Sequence, residues 1–286
     1  MKNALNHYHE ALKLCPLSNK KQKATILHNL SIIYIETGQP KKAIYFNKIC
    51  WEISQEINSY ENLMMAFQGM AIICTQQGKI DDALNYYEKS LEAADRIQEE
   101  VILNQVPRYQ AVSLNNIAYI HTLKKDFETA IPFYQKSLQI MEELGDIQNQ
   151  AAALNNIAQI YILQGLINQA VPLLLQSLAL KESIANRKGQ SVSLHNLAYI
   201  YIRQGQVDQG ISLYEKALKL SQEINDAEGQ GYSLMMLGEI VAIKRSFSDG
   251  MIYLHEALNI FQELKSPHIK KVQKIIYDLY SSMNML

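Results

Sequence analysis

Residues Ala151–Gln190 read AAALNNIAQIYILQGLINQAVPLLLQSLALKESIANRKGQ, and Ser191–Gln230 read SVSLHNLAYIYIRQGQVDQGISLYEKALKLSQEINDAEGQ. The second stretch restates the first at a spacing of forty residues, and self-similarity at a fixed period decides an architecture before any local motif does. Counting outward from Leu154, a leucine-like position recurs at Leu27, Phe67, Leu114, Leu194 and Leu234, with one interval of forty-seven between Phe67 and Leu114. Three residues on stand Leu30, Met70, Ile117, Ile157, Leu197 and Leu237, each followed by a small residue: Ser31, Ala71, Ala118, Ala158, Ala198 or Gly238. Three further on come Tyr34, Cys74, His121, Tyr161, Tyr201 and Val241. Spacings of three, four and seven place these on one face of a helix, and the small residue lets a neighbouring helix approach closely.

A break follows. Gly38, Gly78, Gly165 and Gly205 recur at one position, with Lys125 and Arg245 in two copies. A second helix opens near Asp126 or Ser246, residue types suited to N-caps. Its small positions are Ala43, Ala83, Ala130, Ala170, Gly210 and Gly250, and seven residues later Cys50, Ser90, Ser137, Ser177, Ala217 and Ala257. Small residues seven apart line a narrow stripe where two helices cross tightly. Pro132 and Pro172 fall early in this helix and each removes a backbone bond there.

The pattern of large, large-small, aromatic and then two spaced small residues, in six copies, resembles the tetratricopeptide repeat. The forty-residue form, opening with LNNIA, is similar to Pins-type polarity adaptors, kinesin light chains and bacterial peptide-pheromone receptors, although the first-helix tryptophan of the common signature is missing. The resemblance implies an all-α, right-handed superhelix (an α-solenoid) of helix-turn-helix repeats with a C-terminal capping helix. It also implies a non-catalytic protein–protein interaction scaffold that binds a partner peptide in its concave groove. The alternative is a peptide-responsive regulatory module of a larger protein or of a homodimer.

Taken in order, residues 1–286 are expected to form a single solenoid. Residues 1–23 read as the second helix of a partial repeat, with Ala4, Tyr8, Ala11 and Leu12 on its packing face and Pro16 closing it. Six repeats follow at 24–63, 64–110, 111–150, 151–190, 191–230 and 231–267. The last segment, 268–286, reads as a capping helix with Ile269, Val272, Ile275, Ile276, Leu279, Tyr280 and Met283 in one stripe. Terminal solenoid faces need covering, so a homodimer through the N-terminal or the C-terminal helix is one expectation. Seven extra residues lie between Arg96 and Gln110, and with Pro107 in the next first turn they are expected to lengthen the second helix by about two turns.

A formal net charge of −1 with 19% charged residues supplies no field for a polyanion or an anionic membrane surface, so neither nucleic acid nor membrane is an expected partner. Cys15, Cys50 and Cys74 are odd in number and far apart, which reads as free thiols in a reducing cytoplasm. MKNALNHYHE carries no apolar signal core, and no stretch approaches eighteen apolar residues. Catalytic constellations are not found: His9-Glu10 meets Lys13 where HExxH needs its second histidine, and no P-loop, GxSxG or GxGxxG occurs. No cofactor or metal is expected.

In such a solenoid the first helices face the groove, and the positions beside the leucine-like anchor point into it. The column Asn29, Asn116, Asn156 and Asn196 stands out, because asparagine is a mediocre helix former, up to ~0.7 kcal/mol worse than alanine. A carboxamide offers a donor and an acceptor together, matching the N–H and C=O of a bound backbone. With their neighbours Asn115, Asn155 and His195, the following-turn residues Tyr119, Gln159 and Tyr199, and Arg203 as the one charged contact, these are the expected peptide-binding residues. Arg203 alone does not make the carboxylate clamp of co-chaperone domains of this type.

Overall fold

The computed structural model describes the backbone of residues 2–97 and 105–283, and among these residues it contains fourteen helices and no strand. The chain divides into two compact units, Met1–Asp146 and Ile147–Leu286. The first holds α1 (Lys2–Leu14), α2 (Lys20–Glu36), α3 (Pro40–Glu56), α4 (Tyr60–Gln76), α5 (Ile80–Asp95), α6 (Val106–Leu123) and α7 (Phe127–Glu143). The second holds α8 (Ile147–Leu163), α9 (Ile167–Ser183), α10 (Arg187–Arg203), α11 (Val207–Glu223), α12 (Ala227–Lys244), α13 (Phe247–Glu263) and α14 (Ile269–Met283). Each even-numbered helix from α2 to α12 forms a hairpin with the helix after it.

Helix starts follow capping chemistry. Asn19, Ser59, Asn186 and Asp226 accept from the amides of Gln22, Asn62, Gly189 and Gly229, opening α2, α4, α10 and α12. Asp126 and Ser246 cap α7 and α13 in the same way, as their residue types lead one to expect. In four hairpins the turn holds one left-handed glycine, Gly38, Gly78, Gly165 and Gly205, with φ of 68°, 72°, 75° and 80°. The next amide then reaches back five residues, as in Gln39 N–H to Tyr34 O at 2.9 Å and Gln206 N–H to Tyr201 O at 2.8 Å, which closes the helix end. Lys125 takes the same conformation at φ 61°, while Arg245 avoids it at φ −132°.

Two devices recur among the hairpins. The first is close approach: Ala43, Ala83, Ala130 and Ala170 are fully buried, and a Cβ added to Gly250 would lie 2.4 Å from the Ala242 backbone nitrogen. The second is a hydroxyl that ties the second helix to a first-helix carbonyl. Ser90 donates to Met64 O (3.2 Å), Ser137 to Ala111 O (2.7 Å) and Ser177 to Ala151 O (2.7 Å). In the next hairpin the second helix carries Ala217, and the hydroxyl moves across: Ser191 donates to Ala217 O at 3.4 Å.

Helix α1 packs on α2 through Leu5, Tyr8, Ala11 and Leu12, with His9 Nε2 2.8 Å from the Tyr34 hydroxyl. Ala4, expected on that face, is exposed, because a shift of one position brings the larger Leu5 inward. The expected two-turn extension of the second helix ahead of Pro107 does not occur in the described residues. Arg96 caps α5 at Asp95, and Ile97 and Val106 are buried together with Met64, which turns the chain back toward α4. Residues 98–104, most of the insertion, lie outside the described residues, and Pro107 does sit in the first turn of α6. At the other end Ile269, Val272, Ile275, Ile276 and Leu279 of α14 join the core over α12 and α13, while Lys270, Lys271, Lys274 and Asp278 are exposed. Tyr280 is half exposed with its edge on Phe247, and the Met283 side chain lies outside the description.

Candidate functional site

The asparagine register lies on the first helices and is half buried throughout. In the first unit Asn29 is on α2, and Asn115, Asn116 and Tyr119 are on α6, with Tyr119 45% exposed. Helix α4 carries Gly69 in that register, and the exception has a packing cause. A Cβ on Gly69 would fall 2.4 Å from Oδ1 of Asn47, a fully buried amide that donates to Ala66 O at 2.8 Å. The column is therefore interrupted between Asn29 and Asn116.

In the second unit α8 carries Asn155, Asn156 and Gln159, and α10 carries His195, Asn196, Tyr199 and Arg203. Asn196 Nδ2 donates to Asn155 Oδ1 at 3.0 Å, so these two amides are brought together across neighbouring helices. Asn115 and Asn156 each have an interaction within the chain as well. At Asn155 and Asn196 the register thus serves helix–helix contact, and what these two amides offer a ligand is their remaining donor and acceptor capacity.

His195 is turned partly inward. Its Nε2 is 2.8 Å from Ser233 Oγ on α12, its ring packs against Tyr214 and Tyr232, and burial pulls its pKa down to about 4, so it is neutral at pH 7. Gln68 makes the corresponding bond to Ser113 in the first unit, at 3.0 Å. His28, at the same register on α2, is also pulled down to about 4 by burial.

Two clefts open between α10 and α12. The first, about 310 Å³, is lined by Val192, His195 and Asn196 on one side and Gly229 and Tyr232 on the other, with His268 behind them. Lys188 and Asp226 face each other at its rim, 3.7 Å apart. The second, about 160 Å³, has an apolar floor of Ile202, Met236 and Ile240, with Tyr199, Arg203 and Glu239 around it. Among the described residues neither Arg203 nor Glu239 forms an ion pair, although both line this cleft. The Glu239 carboxylate helps to hold the Tyr214 and Tyr232 hydroxyls above their usual range, after the larger effect of burial.

Tyr199 and Arg203 thus line one of the two clefts and His195 and Asn196 the other, whereas Val192, Tyr232 and Ile243, which also line them, are not marked by the repeat pattern. Stepping back seven residues from Tyr199 leads to Val192, and forward four from Glu239 to Ile243, so helical spacing was the available signal. Among the described residues no group of three or more His, Cys, Asp or Glu could hold a metal ion.

Tetratricopeptide-repeat models match residues 66–101, 109–183 and 192–224, together about half of the chain, and each match falls on hairpins described above. The chain belongs to the tetratricopeptide-repeat family. It is 26% identical over 147 residues to the 43 kDa receptor-associated protein of the synapse of Tetronarce californica, which covers 50% of this chain and 34% of that protein. The chain spans about a third to somewhat over half the length of the curated relatives it matches. Among solved structures it is similar to a signal transduction ATPase with a tetratricopeptide repeat sensor from Pyrococcus horikoshii (TM-score 0.69, 17% identity, 96% of this chain and 41% of that one). It is similar also to a Rap protein complexed with competence and sporulation factor (TM-score 0.65, 16% identity, 99% of this chain and 80% of that one). At these identities the structural likeness is one of fold.

Proposed function

We propose that this tetratricopeptide-repeat chain is a non-catalytic interaction scaffold that holds a peptide segment of a partner protein against its first helices. The observation that carries the reading is the second α10–α12 cleft. Exposed Tyr199 and two opposite charges without ion pairs, Arg203 and Glu239, surround an apolar floor. A bound chain would cover the apolar floor and meet both charges. Within each unit the expected residues give the first helices a surface of the same kind, Asn29, Asn115, Asn116 and Tyr119 in the first and Asn155, Asn156 and Gln159 in the second. Truncating Asn196 to alanine removes one well-placed amide and should weaken a selected peptide about tenfold, near the 1.4 kcal/mol that a single good hydrogen bond can contribute. Isothermal titration checks this, and an affinity unchanged by both Asn196→Ala and Tyr199→Ala would remove this face from the binding site.

A second reading is a peptide-responsive regulatory module, within a larger protein or a homodimer. Its support is that, of two proteins of similar fold, one carries a tetratricopeptide repeat sensor and the other is complexed with competence and sporulation factor. Leu14 and Leu17 at the end of α1 (82% and 84% exposed) and Tyr277 on α14 (71%) are the apolar residues a second copy would cover. Light scattering across a concentration series tests the homodimer form of this reading, which a monomer at every concentration would remove. No described helix is long and apolar enough to cross a membrane, and a cytoplasmic setting suits the free thiols Cys15, Cys50 and Cys74.

A further inference from the structure

The two clefts between α10 and α12 repeat along the helices. Val192 in the first corresponds to Tyr199 in the second, Asn196 to Arg203, Gly229 to Met236 and Tyr232 to Glu239, each pair seven residues apart. The two helices run in the same direction, since residue numbers rise together along both walls. Seven residues of α-helix rise about 10.5 Å, so equivalent lining positions of the two clefts lie about that far apart along the channel between α10 and α12.

We propose that this channel docks an amphipathic helix of a partner protein, with one large uncharged apolar residue in each cleft and the two anchors seven residues apart. This rests on the interaction-scaffold reading and specifies its ligand. An extended chain places same-facing side chains about 6.6 or 13 Å apart, two or four residues on, and neither spacing matches. A helix places residues i and i+7 on one face at about 10.5 Å, with i+3 and i+4 between them over His195 and Asn196. Pockets for whole small molecules run roughly 300–1,000 Å³. The second cleft, about 160 Å³, is well below that range and is of a size for a single side chain, and the first, about 310 Å³, lies at its lower limit and takes the larger anchor.

Charge narrows the occupant further. At the first cleft Lys188 faces Asp226, His195 is neutral and Glu228 adds a carboxylate to the lining, so the anchor there carries no negative charge. At the second, Arg203 lies one turn beyond Tyr199 on α10 and Glu239 stands across the channel on α12, both without an ion-pair partner. The docked helix therefore carries an acidic residue about one turn from its second anchor, on the Arg203 side.

The test is selection of a phage-displayed library of random peptides, about sixteen residues long, on the full chain. Synthetic copies of the enriched peptides are then titrated against wild type, Val192→Glu, Ile243→Glu and Tyr199→Glu. These positions are 44%, 55% and 43% exposed, so the variants are expected to fold, which far-UV circular dichroism checks. The expected result is enrichment of large apolar pairs seven residues apart, helix gained by the peptide on binding, and affinity at least tenfold weaker for each variant. Enriched peptides that are proline-bearing, or whose apolar residues are two apart, and that still lose binding with Tyr199→Glu, would overturn the helical ligand and leave the scaffold reading standing. Peptides indifferent to all three substitutions, or no enrichment at all, would overturn both.

Discussion

Lys181 occupies the core position that Met141 fills one repeat earlier, and it is 6% exposed. Its ammonium donates to Ser193 Oγ at 2.8 Å with no carboxylate beside it, and burial pulls its pKa from 10.5 down to about 8. The unfolded chain holds this proton more tightly, so the penalty for burying the charge is present below pH 8 and disappears as pH rises toward 10.5. A shift of that size corresponds to roughly 3 kcal/mol, so Lys181→Met should stabilise the protein at pH 7 by about 1–3 kcal/mol. Ser193 would keep a partner, since Ser233 at the same register donates to its own helix, at Gly229 O. Urea melts at pH 7 and pH 10 check this, with the gain expected only at pH 7. His28 and His195 run in the opposite pH range. With folded values of about 4 against 6.5, they favour the folded state above pH 6.5, and this contribution is lost as pH falls from 6.5 to 4. His195→Gln should flatten the acid limb of a stability–pH curve, while a curve matching wild type between pH 4 and 6.5 would rule out a buried neutral imidazole.

At the scale of helices, the repeat period was enough to place hairpins, turns and their small-residue stripe, because each hairpin buries the same face against the same kind of neighbour. The tightest crossing is a case in point. The stripe predicts Gly250, and in the structure a Cβ there meets the Ala242 backbone, so Gly250→Val must push α12 and α13 apart. Overpacking of that kind costs about 1–3 kcal/mol, more than the few tenths that valine gains over glycine in helix propensity. Thermal denaturation should show a lower midpoint, and Gly205→Ala should lower it separately, by straining φ of 80°. What the period could not show is where a hairpin departs from it. Asn47 with Gly69, Ser191 in place of a hydroxyl at Ala217, and the early stop of α5 at Asp95 are each solved by a contact between residues far apart in sequence. Such contacts leave no periodic trace. The candidate site was half legible for the same reason. Asparagines in a register point to amide pairing, but whether the pair is Asn196 with Asn155 or with a ligand is a matter of distances.

For the molecule as a whole, charge decides between classes of partner. Lysine plus arginine number 27 against 28 aspartate plus glutamate, and several of the basic groups are matched locally, as in Lys124 with Asp81 at 2.7 Å and Arg245 with Asp208 at 2.6 Å. Exposed pairs of this kind contribute little to stability, but they cancel the positive potential that a polyanion would need. Nucleic-acid affinity comes mainly from counterion release, and a protein making six to ten phosphate contacts loses about 10³–10⁵ in affinity between 50 and 200 mM salt. The expected outcome is therefore no saturable binding of duplex DNA or single-stranded RNA at about 150 mM salt in a fluorescence anisotropy titration. Binding of a selected peptide should, by contrast, change less than about tenfold over the same salt range, since two apolar anchors supply most of it and Arg203 and Glu239 add one screened pair. A steep salt slope for nucleic acid would show a basic surface that neither the composition nor the paired charges on the helices account for.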